Sequence, residues 1–329
     1  MGVALCACVC MCVHVHIVTL CHDPDPQVSD RLVVPVVPRG MKSSLLQRDT
    51  ERALALAGVD PSCMLSLEAV PVEQAMVAQV TLVDHHTPDT PLTREQVVEV
   101  IDHHQDPPPY GPATRVEVQA VGSCSSLVAA RFIEVEVPQP VATLLLSAIV
   151  LDTWNLQSER TSALDREAVE RLSDVAAVAE SELFEELRQQ RFGRHGDSLA
   201  VLLRRDAKVE DCGGSKVILS TVTCPSSEVL VDSEFVPSTR EWLSSEGACL
   251  GVVVFVWLPE LGGLEREVVL CGGSGGLDLL ESVATMLVER LGCQRVEGSL
   301  DDEIVCLSCD SHVTRKLLLP VVVQAVQEM

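Results

Sequence analysis

Basic residues, at half the number of acidic ones, and aromatic rings are both scarce in this 329-residue chain. It carries 24 Lys and Arg against 48 Asp and Glu, for a formal net charge of -24, and its only rings besides histidine are three Trp, five Phe and one Tyr. The shortage of cations argues against non-specific binding to nucleic acid and to anionic membranes, both of which need clustered positive charge. It would also repel phosphate, so a phosphate ligand would require metals and basic residues gathered locally. With few rings, the cores must be built from aliphatic side chains, which a hydrophobic content of 47% supplies.

No Lys or Arg precedes Arg31. Residues 3–21 are uncharged and nearly long enough to span a bilayer, yet without a positive flank they read neither as a membrane anchor nor as a signal peptide. Cys and Val alternate and run into Val13-His14-Val15-His16, a low-complexity pattern of the kind a translated TG dinucleotide repeat produces. Residues 1–30 are therefore expected to lie outside the fold, with a metal-binding Cys/His tract as the alternative. Cys6, Cys8, Cys10, Cys12 and Cys21 account for five of the 14 cysteines. Most others sit singly in apolar runs, as buried thiols of a reducing compartment do, and the expected location is cytoplasmic. Cys306 and Cys309 form a lone C-x-x-C without the second pair that a structural zinc site needs.

What the chain does have is an unusual placement of histidine. Four of its nine histidines fall in Asp84-His85-His86 and Asp102-His103-His104. Each triplet ends a β-branched run, Val77–Val83 and Val97–Ile101, that reads as a strand. Carboxylate and neutral imidazole together are the ligands that hydrolytic divalent metals use. The length favours two domains. The alternation of strands (31–37, 77–83, 97–101, 115–121) with helical or looped segments predicts an α/β fold with a largely parallel N-terminal sheet. The proline at position 35 suggests an edge strand. Ligands of such sheets sit beyond the carboxyl ends of the strands, where both triplets fall.

After the 115–121 strand, Gly122-Ser123-Cys124-Ser125-Ser126 opens a helix. Its small hydroxyl residues could cradle an anion or merely cap the helix. A helix starting at Pro140 delivers Asp152 at its end. In the second half, strands near 216–223, 251–258, 267–271 and 303–307 and helices at 277–291 and 314–328 describe a second α/β domain. Two basic spots stand out, Arg204-Arg205-Asp206-Ala207-Lys208 and Arg315-Lys316. The latter begins a helix, where the macrodipole disfavours cations unless an anion is bound.

Taken in order, these segments resemble the DHH phosphoesterase superfamily, and within it the prune-type exopolyphosphatases related to family II inorganic pyrophosphatases. Thr81-Leu82-Val83-Asp84-His85-His86 is similar to the family's LVDH motif and Val100-Ile101-Asp102-His103-His104 to its signature motif. Gly122-Ser123-Cys124 is similar to its small-residue loop, and the segment ending in Asp152 to its third ligand-bearing stretch. Leu203–Lys208 and Thr314–Leu317 resemble the phosphate-gripping motifs of a DHHA2 domain. The resemblance implies a DHH domain over 31–180, a linker over 181–198 and a DHHA2 domain over 199–329. It further implies two Mn²⁺ or Mg²⁺ ions held by Asp84, His103 and Asp152. His104, Ser123, Lys208, Arg315 and Lys316 would bind the substrate, with His104, Lys208 and Arg315 neutralising charge during the reaction. That substrate would be pyrophosphate or short polyphosphate.

One motif departs from the pattern. The family begins with a strand ending in Asp-x-Asp-Ser, then a helix. Here the only counterpart is His22-Asp23-Pro24-Asp25-Pro26, and too few residues follow before the strand at Leu32 for a helix and a parallel return. The first strand and helix are expected to be lost, leaving a weakly active or inactive chain. The chain also stops just after the last motif, so the partner-binding tail of animal prune proteins is expected to be absent. Two rival readings are a non-catalytic interaction protein and a cyclic-nucleotide phosphodiesterase.

Overall fold

A computed structural model describes residues 15–21, 31–37, 46–63, 65–70, 79–104, 107–133, 135–259, 264–273, 277–296 and 302–328. The chain forms two compact units, Met1–Gln190 and Arg191–Met329. No helix among the described residues is long and apolar enough to cross a membrane.

The first unit holds β1 (Val15–Cys21), β2 (Arg31–Val37), β3 (Leu65–Ser66), β4 (Gln79–Val83), β5 (Val97–Asp102) and β6 (Arg115–Val118). They form one sheet in the order β3-β2-β1-β4-β5-β6. The β2–β3, β4–β5 and β5–β6 pairs are parallel, as the α/β reading requires. β1 is antiparallel to both of its neighbours.

Three expectations meet a different structure here. The leader was expected to lie outside the fold, yet Val15–Cys21 fills the slot between β2 and β4. Its β-branched and apolar residues suit an interior strand whatever their origin. β2 is not an edge strand, because β1 and β3 flank it. Pro35 is tolerated because β3 is only two residues long and pairs with Val36 and Val37, leaving no ladder beside Pro35 on that side. The stretch read as a linker starts as a helix running to Arg191.

The helices of this unit are α1 (Arg48–Leu56), α2 (Cys124–Ala130), α3 (Gln139–Asp152), α4 (Ala163–Ala176) and α5 (Glu180–Arg191). Every residue of α3 from Val141 to Leu151 is buried, as expected of a helix that is apolar on all sides and has no polar face to turn to water. It packs with the other helices, Val83 and Ile101 in one core. Strand alternation sends Val80, Leu82 and Val100 to the opposite face, where they meet Val36, Leu67 and Leu92. Both faces of β4 and β5 are thereby covered, which sets their register firmly and aims Asp84 and Asp102 at one end of the sheet.

The second unit holds α6 (Leu199–Arg205), β7 (Ala207–Asp211), β8 (Lys216–Val222), α7 (Ser226–Leu230), α8 (Phe235–Glu246) and β9 (Ala248–Trp257), followed by β10 (Glu265–Gly272), α9 (Leu277–Leu291), β11 (Gln294–Arg295), β12 (Ile304–Cys309) and α10 (Arg315–Gln327). The sheet order is β11-β12-β10-β9-β8-β7. Only β8 and β9 pair in parallel, while the other pairs are antiparallel. α9 and α10 cover one face over Val252, Val254 and Leu270. On the other face, Trp242 and Phe235 of α8 cover Val253, Phe255 and Val269.

Cys306 and Cys309 lie three steps apart on β12 and so point to opposite faces. Cys306 packs with the Trp242 core. The Cys309 sulfur instead lies 2.8 Å from that of Cys293. The C-x-x-C is therefore not one site.

Candidate metal centre

β4 ends at Val83, and the chain turns sharply at Asp84, which adopts a left-handed backbone with φ 66°. Aspartate tolerates this conformation better than most residues. Its N–H donates to the Ile101 carbonyl at 2.9 Å, pinning the turn to the neighbouring strand. β5 ends at Asp102, with His103 and His104 following. Parallel pairing of Val83 with Ile101 thus sets the two triplets side by side.

Asp102 is the hub. It is fully buried, and a carboxylate can only accept, so its four partners all donate. His86 Nδ1 reaches Oδ2 at 2.8 Å and His104 Nδ1 reaches Oδ1 at 2.7 Å. The backbone N–H groups of His103 and His104 reach Oδ1 at 2.8 and 3.1 Å. Burial alone would raise the Asp102 pKa, but the bonds from His104 and His86 outweigh it and hold the group well below the usual carboxylate range. With Nδ1 of both rings carrying the proton, their Nε2 atoms keep free lone pairs.

His103 is arranged differently and to the same end. Its Nδ1 donates to the Val121 carbonyl at 3.2 Å, which leaves Nε2 as the acceptor nitrogen of the neutral ring. That Nε2 lies 3.2 Å from Asp84 Oδ1. Two acceptors at this distance repel unless a proton or a metal cation lies between them. Burial pulls the His103 pKa down, but the hydrogen bond and charge of Asp84 reverse this and leave it raised. Ligand atoms of Asp84, His103 and His104 all lie within 4.8 Å of one another, and they form the one such cluster among the described residues. The donor set fits a divalent metal of the Mn²⁺, Mg²⁺ or Zn²⁺ kind.

Asp152 is outside that cluster but near it. The buried Cys124 thiol is pushed well up by burial and then by the charges of Asp84, Asp102 and Asp152 together. The Ser123 hydroxyl donates to Asp152 Oδ2 at 2.7 Å. The loop around Ser123 is not an open anion cradle, because the N–H groups of Gly122, Ser123, Ser125 and Ser126 are already taken. Gly122 N–H donates to Asp165 Oδ2 at 2.8 Å and Ser123 N–H to Asp165 Oδ1 at 3.2 Å. Only glycine fits at 122, since a Cβ would stand 2.6 Å from Thr153 and 3.0 Å from Asp165. The sequence reading makes Asp102 a supporting group of its triplet, without its partners, and misses Asp165. The signal for Asp165 was the capping pattern Ser162-x-x-Asp165, which by itself says nothing of residue 122.

The basic candidates belong to the second unit. Arg315 Nη1 donates to the Asp206 carbonyl at 2.9 Å and to its Oδ1 at 3.0 Å, which ties the start of α10 to the segment that carries Lys208. The two basic spots are thus neighbours. Lys208 and Lys316 are exposed. Arg205 is held by Asp197 at 2.9 Å and Arg204 donates to Ser245, so both are committed structurally. Asp23 and Asp25, of the segment that only loosely matches Asp-x-Asp-Ser, lie outside the described residues. β1 itself places Val15 opposite Val83 and Thr19 opposite Gln79. Cys21, where β1 ends, is therefore at the far end of the sheet from Asp84, six steps beyond Val15 or roughly 20 Å at about 3.3 Å per residue.

The sequence and the fold have counterparts among known proteins. Exopolyphosphatase PRUNE1 of Rattus norvegicus is 31% identical over 165 residues, which cover 47% of this chain and 36% of that protein. A Lactobacillus gasseri protein described as a probable manganese-dependent inorganic pyrophosphatase is 31% identical over 185 residues, covering 52% of this chain and 58% of that one. The chain is a relative of both groups. It spans from about a third to three fifths of the length of these relatives. The fold matches a solved Methanococcus jannaschii structure assigned to the family II inorganic pyrophosphatases, with a TM-score of 0.58 at 21% identity, covering 85% of this chain and 88% of that one. No protein-family model matches the chain.

Proposed function

We propose that this chain is of the prune type and hydrolyses a terminal phosphoanhydride bond of pyrophosphate or short polyphosphate in a Mn²⁺- or Mg²⁺-dependent manner. In this reading the first unit is a DHH domain and the second a DHHA2 domain. The observation that carries it is the His103 Nε2 to Asp84 Oδ1 approach at 3.2 Å, with His103 Nδ1 committed to a carbonyl. That contact is satisfied by a proton on His103, which Asp84 favours, or by a divalent cation taking that proton's place. Asp84, His103 and Asp152 would hold the metal. When bound, it would supply Lewis acidity and a water acidified toward neutral pH.

The remaining work falls to the protein's own groups. Asp102 fixes the His104 ring, whose Nε2 is free to ligate or, once protonated, to donate to a phosphate oxygen. Lys208, Arg315 and Lys316 neutralise the phosphate chain, which a protein of net charge -24 must do with local cations. The free, mostly buried thiols fit a reducing compartment such as the cytoplasm.

A second reading keeps the metal and loses the hydrolysis. It is favoured by the direction of β1, which ends away from Asp84 rather than beside it. Phosphate release from tripolyphosphate with and without Mn²⁺, together with calorimetric Mn²⁺ titration, separates the two. Slow Mn²⁺-dependent release, lost in Asp84→Asn and raised by grafting an Asp-x-Asp-Ser segment, supports hydrolysis. Mn²⁺ binding without release supports the second reading, and absence of both sinks the metal centre.

A further inference from the structure

We infer that Asp165 is a positioning residue: a carboxylate that permanently fills the 122–126 loop and, through it, aims Asp152 and His103. The inference rests on the metal-centre reading above. Asp165 is fully buried, and no described Lys, Arg or His pairs with it. Its compensation is a ring of donors. Besides Gly122 N–H and Ser123 N–H, Ser126 Oγ donates at 2.6 Å, and the Ser162 N–H and Oγ each donate at 2.7 Å. A helix-capping aspartate needs only the Ser162 contacts. The other three bonds cross some forty residues of chain to the loop between β6 and α2 and to the first turn of α2.

That loop touches the candidate ligands on both sides. One residue before Gly122, the Val121 carbonyl accepts from His103 Nδ1 and so decides which ring nitrogen faces Asp84. One residue after it, Ser123 Oγ donates to Asp152 Oδ2 at 2.7 Å. Asp165 therefore acts one bond removed from each. The segment joining Asp152 to Asp165 is itself held in an unusual path. Trp154, Asn155 and Leu156 are left-handed in succession, at φ 50°, 50° and 64°. Three bonds hold the turn: Asn155 N–H to Val150 O at 2.7 Å, Ser158 N–H to Thr153 O at 2.8 Å and Leu156 N–H to Thr153 Oγ1 at 3.1 Å. Such strain persists only where the surroundings over-determine it. The depressed pKa of Asp165, reached against burial through bonds from Ser126, Ser162 and Gly122, agrees with an ionised internal anion. The loop that resembles a phosphate cradle thus holds a side chain of this protein in place of a ligand.

The test measures Mn²⁺ affinity of the full chain by calorimetry, with urea unfolding alongside. Partners of metal ligands typically change affinity by about 10- to 100-fold. Ser123→Ala, which cuts the link to Asp152 and the cap that Ser123 Oγ gives the Ser125 N–H, and Asp165→Asn, which turns an acceptor into a donor facing donors, should each weaken Mn²⁺ by about tenfold or more. Ser147→Ala removes a buried hydroxyl of α3 that bonds only within its own helix, to Thr143 O at 2.7 Å, and should leave Mn²⁺ affinity unchanged. If Ser123→Ala and any folded Asp165→Asn bind Mn²⁺ like the unmodified chain, the inference is overturned while the metal centre stands. If the unmodified chain binds no Mn²⁺, the metal centre falls and the inference with it.

Discussion

The two units bury very different things. The first places three carboxylates, Asp49, Asp102 and Asp165, at zero exposure, and also buries Thr50, Ser123, Ser125, Ser126, Thr143, Ser147 and Thr153. Among described residues of the second unit, only Ser220, Ser226 and Thr239 are buried and polar, and none is charged. An unpaired buried carboxylate costs several kcal/mol, so each must be surrounded by donors. A sheet domain can be built without that cost, as the second unit demonstrates with Trp242, Phe235 and a run of valines. The polar interior of the first unit is therefore not a requirement of the fold. Two of its three buried carboxylates hold the segments that carry Asp84, His103, His104 and Asp152.

The contrast can be broken most severely at its two centres. Asp102→Ala strips an acceptor from two rings and two N–H groups and should cost about 3–5 kcal/mol of stability together with Mn²⁺ binding. Trp242→Ala leaves a cavity and should also cost about 3–5 kcal/mol, with no loss of Mn²⁺ affinity at temperatures where the chain stays folded. Urea unfolding paired with calorimetric titration reads both, and Mn²⁺ loss in Trp242→Ala would erase the distinction.

Acid sharpens the contrast at intermediate magnitude. The folded pKa values of Asp102 and Asp165 are depressed from 3.8. Their contribution is thus fully present above the unfolded value and is lost as pH falls through the folded one. The first unit should loosen below about pH 4, ahead of the second. Trp154 reports on the first unit, and Trp242 and Trp257 on the second, so single-tryptophan variants followed by fluorescence resolve the order. Simultaneous transitions would count against it.

The smallest effect on stability is expected at Arg315, whose half-buried contact with Asp206 is a partly solvated pair. Arg315→Gln should change stability by less than about 1 kcal/mol. The same substitution should weaken tripolyphosphate binding by about tenfold, given the about 1.5–3 kcal/mol carried by a charged hydrogen bond. Unchanged affinity would remove the second unit's basic spot from the proposed site.

Much of the fold could be read in advance because periodicity is a local property. The β4 and β5 strands, α3 starting at Gln139 and α9 over Leu277–Leu291 lie close to where apolar spacing and proline positions put them. The misreadings share a cause. Cys306 and Cys309 look like a pair in one dimension, but strand geometry turns them apart. Pro35 looks like an edge marker until the two-residue β3 is seen beside it. Val15–Cys21 looks like debris because composition cannot reveal a vacant slot in a sheet.

The sequence by itself determined the chemistry on offer: two Asp-His-His triplets closing two parallel strands, an aspartate closing an apolar helix, and two short basic spots in an acidic chain. Only the tertiary structure decided how that chemistry is used. It made Asp102 the hub for two rings, aimed His103 Nε2 at Asp84, filled the 122–126 loop with Asp165 and turned β1 away from the cluster. These outcomes depend on hydrogen bonds across 16 residues, from His86 to Asp102, and across 43, from Gly122 to Asp165. They also depend on which slot of a sheet a strand enters. Neither leaves a periodic trace along the chain.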